Sequence, residues 1–365
     1  MLEKEIQEAI KILGQGGVIA FPTDTVYGLG GDAFTDTAVE RIYRIKERDR
    51  EKPFVLFIPE KNELKKYVEG LSRDAQKLVN AFWPGPLTLV FRASHHIPPR
   101  LNSKGTVGIR IPKDEIVLSL LKTYGKPLAT TSANRSGELQ CRSGEEVKKK
   151  FGKEIGYVLE GGRLDHENSS TVLDISQSPP LLLRKGKISV SSIEKVLKYP
   201  VAFGKGLTFN ILFLCTGNAC RSPMALGLFR NRLPERLRKR VISTSCGTGA
   251  LENEPATEDA VQAARELGVD LSSHRSQSLS KFLIEYADLI LVMAPHHKER
   301  VLELSQGALE KTHLLRGYGK RLPLEKRIIE DPIGRPLDFY RMTIQIIEES
   351  IRPVIEELKE RFDPS

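Results

Sequence analysis

Residues 211–223 constrain the fold of this chain most tightly. Ile211-Leu212-Phe213-Leu214 is a wholly apolar run of strand length, the kind that suits a strand covered on both faces in a parallel sheet. It leads straight into Cys215-Thr216-Gly217-Asn218-Ala219-Cys220-Arg221-Ser222 and then Pro223, a residue favoured in the first turn of a helix. A tight loop between strand and helix turns several backbone N–H groups toward one point, and the helix N-terminus adds its partial positive charge there. That makes a cradle for an oxyanion. The same field stabilises a thiolate, so Cys215 at the loop entrance is the expected nucleophile. Arg221 closes the loop with a planar fork suited to two phosphoryl oxygens, and Ser222 is placed to donate a hydrogen bond to the sulfur. A lone cysteine beside a helix cap is ordinarily just a small buried side chain. Here strand, glycine, proline and arginine stand in register, which a structural cysteine does not require.

The stretch resembles the low-molecular-weight protein phosphatase family, whose signature C-x-G-N-x-C-R-S-P is met at every fixed position. The resemblance continues through Ser245-Cys246-Gly247-Thr248-Gly249-Ala250 and Glu254-Pro255-Ala256 to Glu330-Asp331-Pro332, ahead of an amphipathic C-terminal helix, and covers residues 208–365. It implies a parallel-sheet α/β domain in which Cys215 and Arg221 are catalytic, Thr216, Gly217, Asn218, Ala219, Cys220 and Ser222 complete the phosphate-binding loop, and no cofactor is needed. Asp331 then protonates the leaving atom and later activates the water that hydrolyses the phosphocysteine. Cys220 has two readings, a residue packed under the loop or a thiol that traps oxidised Cys215 as a disulfide. Cys141 and Cys246 read as ordinary thiols, because four cysteines in 365 residues make no disulfide framework. No cysteine follows Cys246, which argues against the disulfide relay of related arsenate reductases. Leu251 and Ile333-Gly334-Arg335 stand where phosphotyrosine enzymes place aromatic rings, and Ala219 leaves room for a compact phosphoguanidinium. Phosphoarginine is the favoured substrate on these grounds, with phosphotyrosine the alternative.

The first half has a different pattern. The length predicts more than one domain, and Tyr199-Pro200 with Gly204-Lys205-Gly206 marks a boundary. We expect domains at 1–200 and 208–365 joined by a linker at 201–207. Val18-Ile19-Ala20-Phe21, Phe54-Val55-Leu56-Phe57-Ile58, Leu87-Thr88-Leu89-Val90-Phe91 and Val107-Gly108-Ile109-Arg110-Ile111 read as strands. Val39, Ile42, Tyr43 and Ile45 line one side of a helix over about 37–47. The expected class is α/β with a twisted, mixed sheet. Hydroxyls, glycines and isolated cations gathered at strand ends suit a nucleotide and a small polar acid.

These segments together resemble the threonylcarbamoyl-AMP synthase, or YrdC-like, family. The matches are Phe21-Pro22-Thr23-Asp24-Thr25-Val26-Tyr27-Gly28-Leu29, Lys46 with Arg48, Trp83-Pro84-Gly85-Pro86-Leu87-Thr88, Val107-Gly108-Ile109-Arg110, Ser132-x-Asn134 with Ser136-Gly137, Ser170-Thr171-Val172 and Leu183-Arg184-Lys185-Gly186. The family joins L-threonine, bicarbonate and ATP into threonylcarbamoyl-AMP and pyrophosphate, which feeds modification of tRNA. The resemblance implies that Lys46, Arg48, Lys52, Thr106, Ser132, Asn134 and Arg184 bind ATP, with Mg²⁺ accompanying the phosphates. It implies that Arg110 clamps the threonine carboxylate and that Thr25, Thr130 and Ser170 line the amino-acid pocket. No side chain is an obvious covalent nucleophile, so catalysis by positioning and electrostatics is expected. Read by itself, the mixed-charge run from Lys46 to Lys52 is a solvated helix end. Phe57 departs from the polar residue of some relatives, and the phosphatase half replaces another C-terminal domain that helps cover the site in longer synthases.

The net charge of +9 raises an alternative, an RNA-binding module without synthase activity. The densest basic cluster, Arg230, Arg232, Arg236, Arg238, Lys239 and Arg240, has few aromatics among it and is expected to be a solvated helix face. The mixed-charge N-terminus and the absence of a long apolar stretch predict a cytoplasmic chain with no membrane partner. The expected partners are the small substrates, the tRNA-modification machinery with RNA, and a phosphorylated protein.

Overall fold

The computed structural model describes residues 2–363 except 48, 51, 165–168 and 321. The chain divides into two compact units, Met1–Ser189 with Val196–Val201, and Val190–Lys195 with Ala202–Ser365.

The first unit is built on a mixed sheet, as its apolar runs predict. Its strands are β1 (Ile19–Phe21), β2 (Gly28–Asp32), β3 (Val55–Phe57), β4 (Leu87–Arg92), β5 (Thr106–Arg110), β6 (Leu128–Ser132), β7 (Tyr157–Val158), β8 (Thr171–Asp174) and β9 (Leu181–Arg184). They lie in the order β9-β8-β4-β5-β3-β6-β2-β1-β7. Parallel pairs, such as β3 with β5 and β4 with β8, are mixed with antiparallel ones such as β4 with β5 and β2 with β6. The helix read from Val39, Ile42, Tyr43 and Ile45 spans Asp36–Lys46. One core packs Ile6, Ala9 and Leu13 of the helix Leu2–Gly14 with Phe21, Phe57 and Leu128 from the sheet and Val117, Leu120 and Leu121 from the helix Glu115–Tyr124.

Strand β2 was not foreseen, since Gly28-Leu29-Gly30-Gly31 has little intrinsic preference for extended structure. Its glycines have a packing reason. The Phe21 ring crosses them, and a Cβ would come 2.9 Å from that ring at Gly28 and 2.7 Å at Gly30.

The second unit holds an all-parallel sheet in the order β12-β11-β13-β14, with β11 Phe209–Cys215, β12 Val241–Gly247, β13 Leu289–Val292 and β14 Thr312–Leu314; the two-residue strand β10 (Ala202–Phe203) precedes it. Strand β11 pairs with β12 and β13 and is buried along its whole length, as Ile211-Leu212-Phe213-Leu214 required. The amphipathic end of the chain is the helix Leu337–Phe362.

Two basic residues depart from the expected solvated face. Arg230 donates to the Ser243 carbonyl at 2.5 Å, and Arg240 donates to the Gly204 and Leu207 carbonyls and stacks 4.3 Å from the Phe362 ring centroid. Both close backbone groups that side chains reach only after folding. Among the described residues no helix is long and apolar enough to cross a membrane.

Val190–Lys195 belongs to the second unit, and a buried charge shows why. Arg361 is 4% exposed and donates to both Glu194 and Glu357. Arg361→Ala removes this cation from between two partly buried carboxylates, and we expect the second unit to lose about 3 kcal/mol in a denaturant titration.

Candidate active sites

In the first unit one face of the sheet, through alternate residues of β3, β4, β5 and β8 together with β6, the end of β9 and the loop between β1 and β2, lines a cavity of about 340 Å³. Thr25, Thr106, Arg110, Thr130, Ser132, Ser170 and Arg184 all line it, so residues spread from 25 to 184 in the chain converge. Arg110, at the end of β5, is 4% exposed. Its Nε donates to the Gly85 carbonyl at 3.0 Å, one terminal nitrogen to Thr25 Oγ1 at 3.2 Å and the other to Asp24 Oδ1 at 2.5 Å. Burial pulls its pKa down, against the pull of Asp24. A guanidinium carries five N–H groups, so donors remain for a ligand. The second Asp24 oxygen, Oδ2, is buried and has no partner.

The hydroxyls are fixed in turn. Thr130 donates to the Val55 carbonyl at 2.7 Å and Thr106 to the Ser103 carbonyl at 2.7 Å. Arg184 grips Ser170 twice, at its carbonyl (3.0 Å) and its Oγ (2.9 Å), and that Oγ lies 2.9 Å from Thr88 Oγ1. Lys46 and Asn134 adjoin the cavity behind Ser132. Lys46 Nζ donates to the Ser132 carbonyl at 2.5 Å and to the Asn134 carbonyl at 2.6 Å and Oδ1 at 3.0 Å. At 1% exposure this ammonium is no solvated helix end, because three acceptors replace its water. Lys52 is exposed and outside the cavity lining; Arg48 lies outside the described residues. Reading by motif missed Asp24 as the partner of Arg110, although it stands inside the quoted Thr-Asp-Thr. It also missed Gln140 and Ser169, which line the cavity and exchange hydrogen bonds of 3.0 and 3.1 Å.

In the second unit β11 ends at Cys215 and the helix Arg221–Arg232 starts after the loop. Cys215 Sγ lies 3.0 Å from Ser222 Oγ. Asn218 shapes the turn. It takes a left-handed φ of 53°, tolerated better by asparagine than by most residues, and is held through Ser222 Oγ (2.9 Å), Ser245 Oγ (3.0 Å) and the Gln277 amide (3.0 Å). His274 Nε2 meets the Asn218 carbonyl at 2.7 Å. Arg221 donates to the Ile329 carbonyl at 3.2 Å and to Thr216 Oγ1 at 3.4 Å and forms an ion pair with Asp331; its buried Nε has no partner. Asp331 is 40% exposed, open to a substrate and to water. Cys220 Sγ sits 3.4 Å from Thr257 Oγ1 and 3.8 Å from the Tyr340 hydroxyl, and burial pushes its pKa up. Gly217 and Ala219 complete the loop, the Ala219 carbonyl taking the Thr257 amide at 3.0 Å. The loop thus combines a cysteine sulfur, a hydroxyl beside that sulfur, a guanidinium and a carboxylate at one mouth. Among the described residues no cluster of three or more His, Cys, Asp or Glu forms a metal site.

Comparison with known proteins matches these halves separately. The Sua5/YciO/YrdC family model, described as "Telomere recombination", matches residues 11–186, and the "Low molecular weight phosphotyrosine protein phosphatase" model matches residues 210–363. The chain is similar to the threonylcarbamoyl-AMP synthase of Vibrio vulnificus, with 35% identity over 184 residues, 50% of this chain and 98% of that protein. It is 36% identical to the Pyrococcus abyssi threonylcarbamoyl-AMP synthase over 211 residues, 56% of this chain, and spans 62% of that relative's length. A crystal structure of Pyrococcus abyssi Sua5 complexed with L-threonine shares the fold, with a TM-score of 0.54 at 23% identity over 95% of each chain.

Close packing under the loop gives a direct test. A Cβ at Gly247 would meet the Thr216 carbonyl oxygen at 2.4 Å and the Asn218 amide nitrogen at 2.9 Å. Both neighbours are backbone, so Gly247→Ala must displace the loop. We expect a stability loss of about 2 kcal/mol by chemical denaturation, and a wild-type melting curve would show that the loop yields freely.

Proposed function

Because the chain belongs to the threonylcarbamoyl-AMP synthase family and carries a low-molecular-weight phosphatase domain behind that half, we propose that it is a cytoplasmic enzyme with two activities. Residues 1–200 join L-threonine, bicarbonate and ATP into threonylcarbamoyl-AMP and pyrophosphate for tRNA modification, and residues 208–365 dephosphorylate a protein.

The buried Arg110 at a hydroxyl-lined cavity carries the synthase reading. Its remaining donors match a carboxylate fork, with Thr25, Thr130 and Ser170 around the rest of threonine. The amine nitrogen attacks the bicarbonate carbon, which loses oxygen as water. A carbamate oxygen then attacks the α-phosphorus of ATP, and the bond to pyrophosphate breaks. Arg184, Thr106, Ser132 and Asn134 are the proposed nucleotide contacts. Lys46, held on carbonyls beside Ser132, contributes its charge behind them, and Arg48 and Lys52 are further candidates for the phosphates. The donors at the cavity include one carboxylate, Asp174. That set fits Mg²⁺ held mainly by the triphosphate, where the ion would neutralise phosphate charge.

The Cys215–Ser222 contact beside the Arg221–Asp331 pair carries the phosphatase reading. Cys215 sulfur attacks phosphorus, and Asp331 gives its proton to the departing atom as the bond to the substrate breaks. Asp331 then takes a proton from water, whose oxygen attacks phosphorus and releases the sulfur, with Ser222 donating to it. Arg221 and the loop amides follow the phosphoryl oxygens throughout. Exposed Leu251 and Ile333 favour a phosphoguanidinium over an aryl ring, so phosphoarginine is the proposed substrate. The family-model description favours phosphotyrosine as the second reading.

Arg110→Ala should raise KM for threonine about 10- to 100-fold, the size of a lost charge-assisted contact, with KM for ATP little changed in a pyrophosphate-release assay. An equal rise for both substrates would remove Arg110 from the threonine site. Cys215→Ser should abolish phosphate release and leave pyrophosphate release intact. Asp331→Asn should slow the first chemical step, read as burst kinetics, while orthophosphate still binds. A larger kcat/KM on a phosphoarginine peptide than on a phosphotyrosine peptide is expected; the reverse would assign the aryl substrate.

A further inference from the structure

One buried titratable side chain near the loop has no part in this scheme. His297 lies in the first turn of the helix Pro295–Leu304, which follows β13, and is 0% exposed. Its Nε2 is 2.9 Å from Thr216 Oγ1, the same oxygen that receives an N–H of Arg221 at 3.4 Å. Its Nδ1 is buried without a partner. An imidazolium donates from both nitrogens, so the cation would leave a buried N–H without an acceptor. Burial, the adjoining His296 and the Arg221 charge together hold its pKa down to about 3, and the helix N-terminus acts in the same sense. A neutral ring is what this place needs. A second cation would repel Arg221, and an apolar side chain would leave the Thr216 hydroxyl free to rotate. Arg221 divides its donors between Thr216, Asp331 and the Ile329 carbonyl. When Asp331 turns to the leaving atom, Thr216 and Ile329 are the holds that remain.

We propose that His297 is a positioning residue of the phosphatase centre, a neutral imidazole that fixes the Thr216 hydroxyl and through it the Arg221 guanidinium. The inference rests on the phosphatase reading above and identifies a residue that the signature of the loop does not contain.

The test is a mutant cycle on the full chain with para-nitrophenyl phosphate as substrate and orthovanadate as inhibitor. His297→Phe and Thr216→Val should each lower kcat by about tenfold, the size of one hydrogen bond to a charged group. Orthovanadate affinity should fall with kcat, since both depend on the placed arginine, while KM changes less. The double variant should be no worse than either single one, because both remove the same brace. His297→Gln, whose amide reaches the Nε2 position, should recover most of the activity. If His297→Phe does not fold, His297→Asn, whose shorter amide falls short of the Nε2 position, takes its place in the cycle with Thr216→Val. Losses that multiply in the double variant, a glutamine no better than phenylalanine, or a lowered Tm with kcat unchanged would each overturn the proposal. A wild-type chain that neither hydrolyses the ester nor binds orthovanadate would overturn the phosphatase reading, and this inference with it.

Discussion

Each unit buries one arginine beside its candidate site, and the surroundings of that charge organise the rest. Arg110 and Arg221 are each 4% exposed. A guanidinium taken that far out of water is costly unless acceptors of the protein, or an anion that it binds, meet its N–H groups. Both units meet the cost with the same kinds of partner: an aspartate, a threonine hydroxyl and a backbone carbonyl. For Arg110 these are Asp24, Thr25 and Gly85; for Arg221 they are Asp331, Thr216 and Ile329. In each case the arginine keeps donors in reserve, so an anion can be bound without first paying to reorganise the cation.

The sheets make that placement possible. In the first unit, β5 is an interior strand between β3 and β4, so the arginine at its end emerges among other strand ends. In the second, β11 is flanked by β12 and β13, and the chain must leave it through a tight loop. Asn218 takes the left-handed conformation there and Gly247 gives the loop room. In the second unit the candidate residues sit mainly at chain turns, while in the first most stand on strands β5, β6 and β9, and in both the apolar runs behind them supply rigidity. The phosphatase loop has an additional layer, since Thr216 Oγ1 also meets His297, from the helix that follows β13.

Much of this was legible in the chain. Apolar runs of strand length became β1, β3, β4, β5 and β11, and the spacing of Val39, Ile42, Tyr43 and Ile45 became a helix, because burial on one or both faces writes a local periodicity. Strand β2 was not legible, since its extension rests on pairing with β1 and β6 and its glycines answer to the Phe21 ring on the neighbouring strand. Local charge pattern placed Lys46 on a wet helix end; the carbonyls of Ser132 and Asn134 buried it. The same holds for Arg230 and Arg240, whose acceptors lie on other segments.

By itself the sequence determined two α/β units and the residue types of both sites. The cysteine loop and the threonine-rich motif are contiguous, and their chemistry is carried by neighbouring residues. Tertiary structure decided the pairings: Asp24 with Arg110, Asp331 with Arg221, His297 with Thr216, and Val190–Lys195 with the second unit through Arg361. Each of the three site pairings is one charge or hydrogen bond between segments far apart or on different turns, and Arg361 ties its segment by the same means. Such contacts leave no periodicity behind, because a single polar partner can stand anywhere in the chain that the fold brings within reach.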